Sequence, residues 1–184
     1  MISDRTWTVE EVSRSALQGR CELVEGILYM VAMPNWPHAD IADNLDEDLG
    51  PWVRSHRLGR VYPPQTGIYL NETNYGDPDL IYVRAADIPT RRSQRVRTAA
   101  LAVEVLSQSN FRAPREQREE LFRQAGIEEL WYVDYDARSL EVRRITPAGY
   151  EISATYRGED AVTTQVLPGL EFPLTAAWED IRDE

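Results

Sequence analysis

Ala100-Leu101-Ala102-Val103-Glu104-Val105-Leu106 is an apolar run broken by a single acid. Apolar at odd and even positions alike, it reads as a central β-strand covered on both faces. An ionised carboxylate in such a strand costs several kcal/mol unless a cation or hydrogen-bond donors receive it. Leu80-Ile81-Tyr82-Val83 reads as a second central strand, with Asp79 at its mouth just after Asp77-Pro78. Two acids at the ends of neighbouring strands can converge on one divalent cation. Oxygen-only ligands select a hard ion, magnesium or manganese, which keeps several waters and meets phosphate oxygens. The alternative for Glu104 is a buried ion pair with an arginine. For Asp79 it is the ordinary turn chemistry of Asp-Pro-Asp.

Outward from these strands the chain alternates short helices and strands. Thr8-Val9-Glu10-Glu11 has the form of a capping box and predicts a helix to about Leu17. Cys21-Glu22-Leu23-Val24 and Ile27-Leu28-Tyr29-Met30-Val31 flank Glu25-Gly26, a hairpin pattern. Between Pro37 and Arg54, Ile41, Leu45, Leu49 and Trp52 recur at helical spacing, with an interruption expected near Pro51. Val61-Tyr62 and Gly67-Ile68-Tyr69-Leu70 read as strands, and the stretch from Asn71 to Gly76 as a turn. Arg115 to Gln124 reads as a helix stopped by Ala125-Gly126. Leu130-Trp131-Tyr132-Val133 and Leu140 to Ile145 form a second hairpin pattern, followed by a strand near Tyr150-Glu151-Ile152 and a short helix from Thr175. The pattern predicts one α/β domain over residues 1–184, with no repeat and no low-complexity linker.

Composition narrows the chemistry. At 184 residues the chain can bury roughly two-thirds of its unfolded surface without disulfides or a structural metal. All twenty basic residues are arginine, which excludes a lysine-dependent phosphate loop and Schiff-base catalysis. A net charge of −11 argues against broad, salt-driven coating of nucleic acid. The charge is uneven, however. Residues 84–123 carry nine arginines against five acids, while both flanking segments are acidic. That basic segment is either a local anion-binding face or a solvated surface. The single cysteine, Cys21, can form neither an internal bridge nor a zinc cluster. Paired with His38 or His56 it could serve as a nucleophile, although a lone cysteine beside a strand is more often buried structure. No apolar run reaches the length of a membrane span and no secretory leader opens the chain, so a cytoplasmic protein is expected. The tryptophans and tyrosines fall at core spacings and show no base-stacking platform.

Taken together, Glu22-Leu23-Val24-Glu25-Gly26, His38, Pro78-Asp79-Leu80, Val103-Glu104-Val105-Leu106-Ser107 and the stretch from Ala125-Gly126-Ile127 to Leu130-Trp131-Tyr132-Val133-Asp134 resemble the Uma2 family. These are mostly bacterial, restriction-endonuclease-like members of the PD-(D/E)XK nuclease superfamily. The resemblance spans about residues 6 to 175 and implies a mixed β-sheet flanked by helices, with a magnesium or manganese site at one edge. It matches Asp79 and Glu104 to the metal-binding carboxylates, Glu22 to an upstream glutamate and His38 to a recurrent histidine. The superfamily's lysine, which in this family moves to the following helix, aligns with Arg118. Phe122, Gln108 and Pro114 also depart from the family pattern.

The implied chemistry is metal-assisted hydrolysis of phosphodiester bonds in nucleic acid, DNA above all. Asp79, Glu104 and the Val105 carbonyl would hold the metal, and Arg118 would neutralise charge developing on the phosphate. An arginine cannot serve as the base, because its pKa stays above about 12. Glu22 would hold a second metal or a metal-bound water; its alternative is an exposed strand-edge acid. His38 would orient substrate or shuttle a proton; its alternative is a helix-start residue bonded to Asp40 or Asp43. Arg112, Arg115 and Arg123 would meet backbone phosphates. Cutting a duplex takes two sites, so a homodimer is expected. The competing expectation is a catalytically impaired nuclease-fold module that binds protein or nucleic acid without cleavage.

Overall fold

The computed structural model describes residues 5–17, 19–31, 36–91, 94–106 and 113–181. Helix α1 (Val9–Arg14) begins at Thr8, whose hydroxyl accepts from the Glu11 amide while the Glu11 carboxylate accepts from the Thr8 amide. The capping box is therefore present, but the helix closes at Arg14, short of Leu17. Strands β1 (Cys21–Val24) and β2 (Ile27–Met30) form the hairpin, turning through Glu25 and Gly26, both at positive φ.

Helix α2 (Trp36–Ser55) runs unbroken through Pro51, where an interruption was expected. The proline removes one amide from the ladder on the exposed side. On the opposite side Leu49 and Val53, fully buried, continue the stripe begun by Ile41 and Leu45 and hold both halves against the sheet. His38 stands at the head of that same stripe.

Strands β3 (Gly59–Tyr62), β4 (Ile68–Asn71), β5 (Asn74–Gly76), β6 (Leu80–Arg84) and β7 (Leu101–Leu106) follow. Beyond them lie helix α3 (Arg115–Gln124) and strands β8 (Glu129–Asp134), β9 (Ser139–Thr146) and β10 (Gly149–Arg157). A short hairpin of β11 (Ala161–Thr163) and β12 (Glu171–Pro173) precedes a 3-10 helix, Leu174–Trp178, at the place where a short helix from Thr175 was expected. The stretch read as a turn from Asn71 to Gly76 contains β5, which inserts between β1 and β4. Only its first half is a turn, held by Asn71 Oδ1 accepting from the Thr73 amide at 2.9 Å.

The main sheet has the order β10-β9-β8-β7-β6-β3, parallel at β7–β8 and antiparallel at its other pairings. A smaller sheet, β2-β1-β5-β4, lies beside it. Strand alternation splits the core in two. Leu101, Val103, Val105, Trp131 and Val133 pack with α2 and the C-terminal segment. Ala102, Leu130, Tyr132, Ile81 and Val83 pack with α3 and the smaller sheet. Glu104 has the parity of Ala102 and so belongs to the second face. Among the described residues no helix is long and apolar enough to cross a membrane.

Candidate functional site

Glu104 emerges near the end of β7, one of the most buried strands of the sheet, and is itself 1% exposed. The parallel β7–α3–β8 connection lays α3 over that face. Its second turn brings Arg118, also buried, onto Glu104 through Nη2. The same guanidinium donates through Nε to Oε1 of Glu22 at 3.2 Å, and its Cζ lies 5.5 Å from the centroid of the Phe122 ring. Glu22 comes from β1, where alternation turns it and Val24 toward α3. It is fully buried, and among the described residues its Oε2 has no hydrogen-bond partner.

Asp79 occupies the adjoining strand end, with its amide bonded to the Val103 carbonyl. Among the described residues, Arg20, Val105 and His38 all reach its fully buried carboxylate. Arg20 Nη1 donates to Oδ1 at 2.8 Å, the Val105 amide donates to Oδ2 at 2.9 Å, and His38 Nε2 lies 3.2 Å from Oδ2. The bond to Val105 fixes Asp79 one residue from Glu104. His38 reaches it from α2, on one side of the sheet, and Arg20 from the head of β1 on the other.

Arg20 and Asp77 were not among the residues singled out in the sequence. Arg20 Nε donates to Asp77 Oδ2 at 2.8 Å and Nη2 donates to the Asp77 carbonyl at 2.7 Å. Asp77 Oδ1 accepts from the Gln65 amide, and the Asp77 amide reaches Glu22 Oε1 at 3.4 Å, which joins the two arginine-centred groups. Burial pushes the Asp77 carboxyl above its usual range despite Arg20 beside it. For Arg20, burial alone would lower the pKa, but the charges of Asp79 and Asp77 outweigh it and hold the guanidinium firmly protonated. The signal for Asp77 was present in the doubled acids of Asp77-Pro78-Asp79. Arg20, preceding a strand and flanked by Gly19, carries no comparable mark.

Chemically the cluster fits a hard divalent cation. Its donors are carboxylate oxygens with one imidazole. Among the described residues, the carboxylates of Glu22, Asp77, Asp79 and Glu104 meet the guanidiniums of Arg20 and Arg118. Among those residues Oε2 of Glu22 has no partner, which suits a further cation. Among the described residues, no three of His, Cys, Asp and Glu group closely enough to share one ion. The guanidiniums stand between the carboxylates, Arg118 bridging Glu22 and Glu104, and Arg20 bridging Asp77 and Asp79.

The remaining candidates lie apart from this cluster. Arg115, partly exposed, donates to Glu119 and Glu141 and lies 3.7 Å from the centroid of the Tyr132 ring. Arg123, at the exposed end of α3, is paired in two-pronged fashion with Glu120. Arg112 lies outside the described residues, as do Ser107 and Gln108. Cys21 is half-buried, and burial, reinforced by Asp77 and Glu22, raises its pKa. Its strand neighbours face the acids, while Cys21 and Leu23 line a cavity on the other face of the small sheet. His56 stacks on Trp52 at the end of α2, remote in sequence and contact from Cys21.

A mixed sheet covered by helices, with acids and arginines gathered at one end of its central strands, defines a protein of nuclease fold. The chain belongs to the Uma2 family, described as "Putative restriction endonuclease", whose profile matches residues 9–177. Among solved structures it resembles "a putative nuclease belonging to DUF820" from Anabaena variabilis, with a TM-score of 0.73 and 16% identity, covering 93% of this chain and 97% of that one. A search of curated proteins gives no match.

Proposed function

We propose that this chain is a divalent-metal-dependent nuclease that hydrolyses phosphodiester bonds, with DNA as its substrate. The observation that carries the reading is the gathering of Glu22, Asp79 and Glu104, from separated parts of the chain, at one end of β7, with Glu22 and Glu104 on the buried guanidinium of Arg118 and Asp79 on that of Arg20. Burying such a set brings little net stability, and clusters of this kind concentrate at functional sites. Restriction-endonuclease-like families generally use divalent metals, which accords with the donor set. Asp79, Glu104 and the Val105 carbonyl would hold magnesium or manganese, which when bound would supply Lewis acidity toward a phosphoryl oxygen and make a water more acidic.

The protein's own groups then divide the work. Arg118 offers a fixed positive charge to the phosphate, and Glu22 orients it through Nε. His38 steadies Asp79 through Nε2 and, as an imidazole, is the group of the cluster that can both accept and give a proton. Arg20 holds Asp77 and Asp79 in place from behind. Arg115, Arg123 and Arg112 meet backbone phosphates.

One observation favours a second reading, a module that binds without cutting. Arg118 stands where the family carries its lysine and occupies both Glu22 and Glu104. Incubation with plasmid, single-stranded DNA and RNA, in magnesium and in manganese, decides between them. Cleavage of DNA that disappears in Glu104→Gln is expected. Equal activity in wild type and variant would assign it to a contaminant and sink the nuclease reading. An inert wild type made active by Arg118→Lys would establish the second. A two-fold dimer goes with duplex cutting, one site per strand. Light scattering that finds a monomer at all concentrations restricts the enzyme to single strands.

A further inference from the structure

Behind the small sheet lies a cavity of about 510 Å³ that the acid cluster does not use. Its walls are α1, β1 and three tyrosines, Tyr62, Tyr69 and Tyr75, which sequence spacing alone did not bring together. Strand alternation explains the gathering. Leu23 pairs with Tyr75, and Tyr75 with Tyr69, so all three share the face of the small sheet turned away from Glu22. Gly67, at φ +56, lets Tyr75 lie flat over it; a Cβ there would fall 2.3 Å from the ring.

At the mouth, Arg95 and Arg97 lie 4.7 and 5.3 Å from the centroid of Tyr69. Both are exposed, and among the described residues neither is paired with an acid. Arg97 donates one bond, to the Leu70 carbonyl at 3.3 Å. Stacking on an aromatic ring fixes a guanidinium while leaving in-plane N–H donors open, a geometry that suits phosphate oxygens. A second depression, of about 660 Å³, shares Tyr69, Gln94 and Arg95 with the cavity and adds Arg97, so the two form one groove. In a chain of net charge −11, Arg95 and Arg97, unpaired among the described residues, outnumber the one acid of the groove, Asp87, and make it locally basic. Gln65 lines the cavity while its amide is bonded to Asp77, so groove and acid cluster share a wall.

We propose that this groove binds one unpaired nucleotide of a nucleic-acid strand, its base in the tyrosine-lined cavity and its phosphate on Arg95 and Arg97. The choice of a polynucleotide rests on the nuclease reading. The choice of an unpaired nucleotide rests on the cavity, which has the size of a small-molecule site and offers aromatic faces to a single exposed base. Tyrosine faces and amide side chains at Gln65 and Gln94 supply stacking and hydrogen bonding without a strong demand for one base.

Cys21 reports on the cavity directly, since it lines it and is the chain's one cysteine. The full chain is held in EDTA, so that cleavage plays no part, and titrated with fluorescent oligothymidylate, single-stranded RNA and duplex DNA. Anisotropy should show single strands bound at least about tenfold more tightly than duplex, with Arg95→Gln and Arg97→Gln each costing about tenfold, the scale of a lost charged hydrogen bond. The same single strands should slow modification of Cys21 by a thiol reagent by about tenfold. Whichever of DNA and RNA protects better identifies the strand the groove takes. Undiminished binding in both arginine variants, or binding that leaves Cys21 fully reactive, would overturn the proposal. So would protection by thymidine alone with none by oligothymidylate. Cleavage in magnesium that persists without single-strand binding would sink the groove and leave the nuclease reading standing. Binding and protection by a protein that cuts nothing would do the reverse.

Discussion

Arg118 donates to two carboxylates that are otherwise shut away from water, Glu22 and Glu104. Arg118→Ala should therefore lower unfolding stability by about 3–5 kcal/mol in denaturant titrations, the cost of stranding a buried charge. Magnesium or manganese should restore part of the loss, because a cation can take the vacated charge position. A midpoint equally insensitive to metal in wild type and variant would remove Asp79 and Glu104 as ligands. Activity should fall about 100-fold in Arg118→Ala and be kept in Arg118→Lys. At this scale the sequence was uneven evidence. Glu104 was legible because a charge interrupts a strand that alternation requires to be buried on both faces. Its pairing with Arg118 was open, since the partner lies on another element and only packing selects one arginine among twenty. Glu22, for which an exposed strand-edge acid was the alternative, is buried because α3 closes over β1, a fact of tertiary structure with no local mark. Arg20 was missed for the same reason.

Among the elements, those with a sustained period were readable. The stripe of α2, the capping box of α1 and the apolar runs of β6 and β7 match local chemistry to tertiary burial. β5, β11 and β12 were not readable, because three residues carry no periodicity and polar Asn71 to Asn74 dominates the first of them. Pro51 misled, since tertiary packing overrides the helix break it would impose alone. Its cost remains, so Pro51→Ala should raise the denaturation midpoint by the equivalent of about 1 kcal/mol or more. Gly59 works in the opposite direction. At φ +149 a Cβ would meet the Val83 carbonyl at 2.0 Å, inside the β3–β6 pairing. Gly59→Ala should destabilise by at least about 2 kcal/mol, read in the same titration.

Across the whole molecule, buried phenols set the alkaline limit. Burial pushes Tyr132 up to about 12, with Glu119 adding to the shift, and it raises Tyr75 and Tyr150 as well, against an ordinary value of 10.0. Each phenol ionises more readily in the unfolded chain than in the folded one. Their contribution is therefore complete below pH 10.0 and is lost as pH rises through 10.0 towards 12. The urea midpoint should fall between about pH 10 and 12, less steeply in Tyr132→Phe, and an unchanged slope in that variant would count against the shift. The route by which the acid cluster is assembled has a different consequence, for the order of events in folding. Arg118 and Glu104 are 14 residues apart, Arg118 and Glu22 are 96 apart. Closing the longer loop costs about 1.7 kcal/mol more chain entropy. The β7–α3–β8 unit should thus be structured at the rate-limiting step, with high φ-values for Val103→Ala and Leu130→Ala, while Leu23→Ala in β1 should mainly speed unfolding. Completion of the proposed active centre then coincides with the last docking step, so a chain caught before it should be chemically silent.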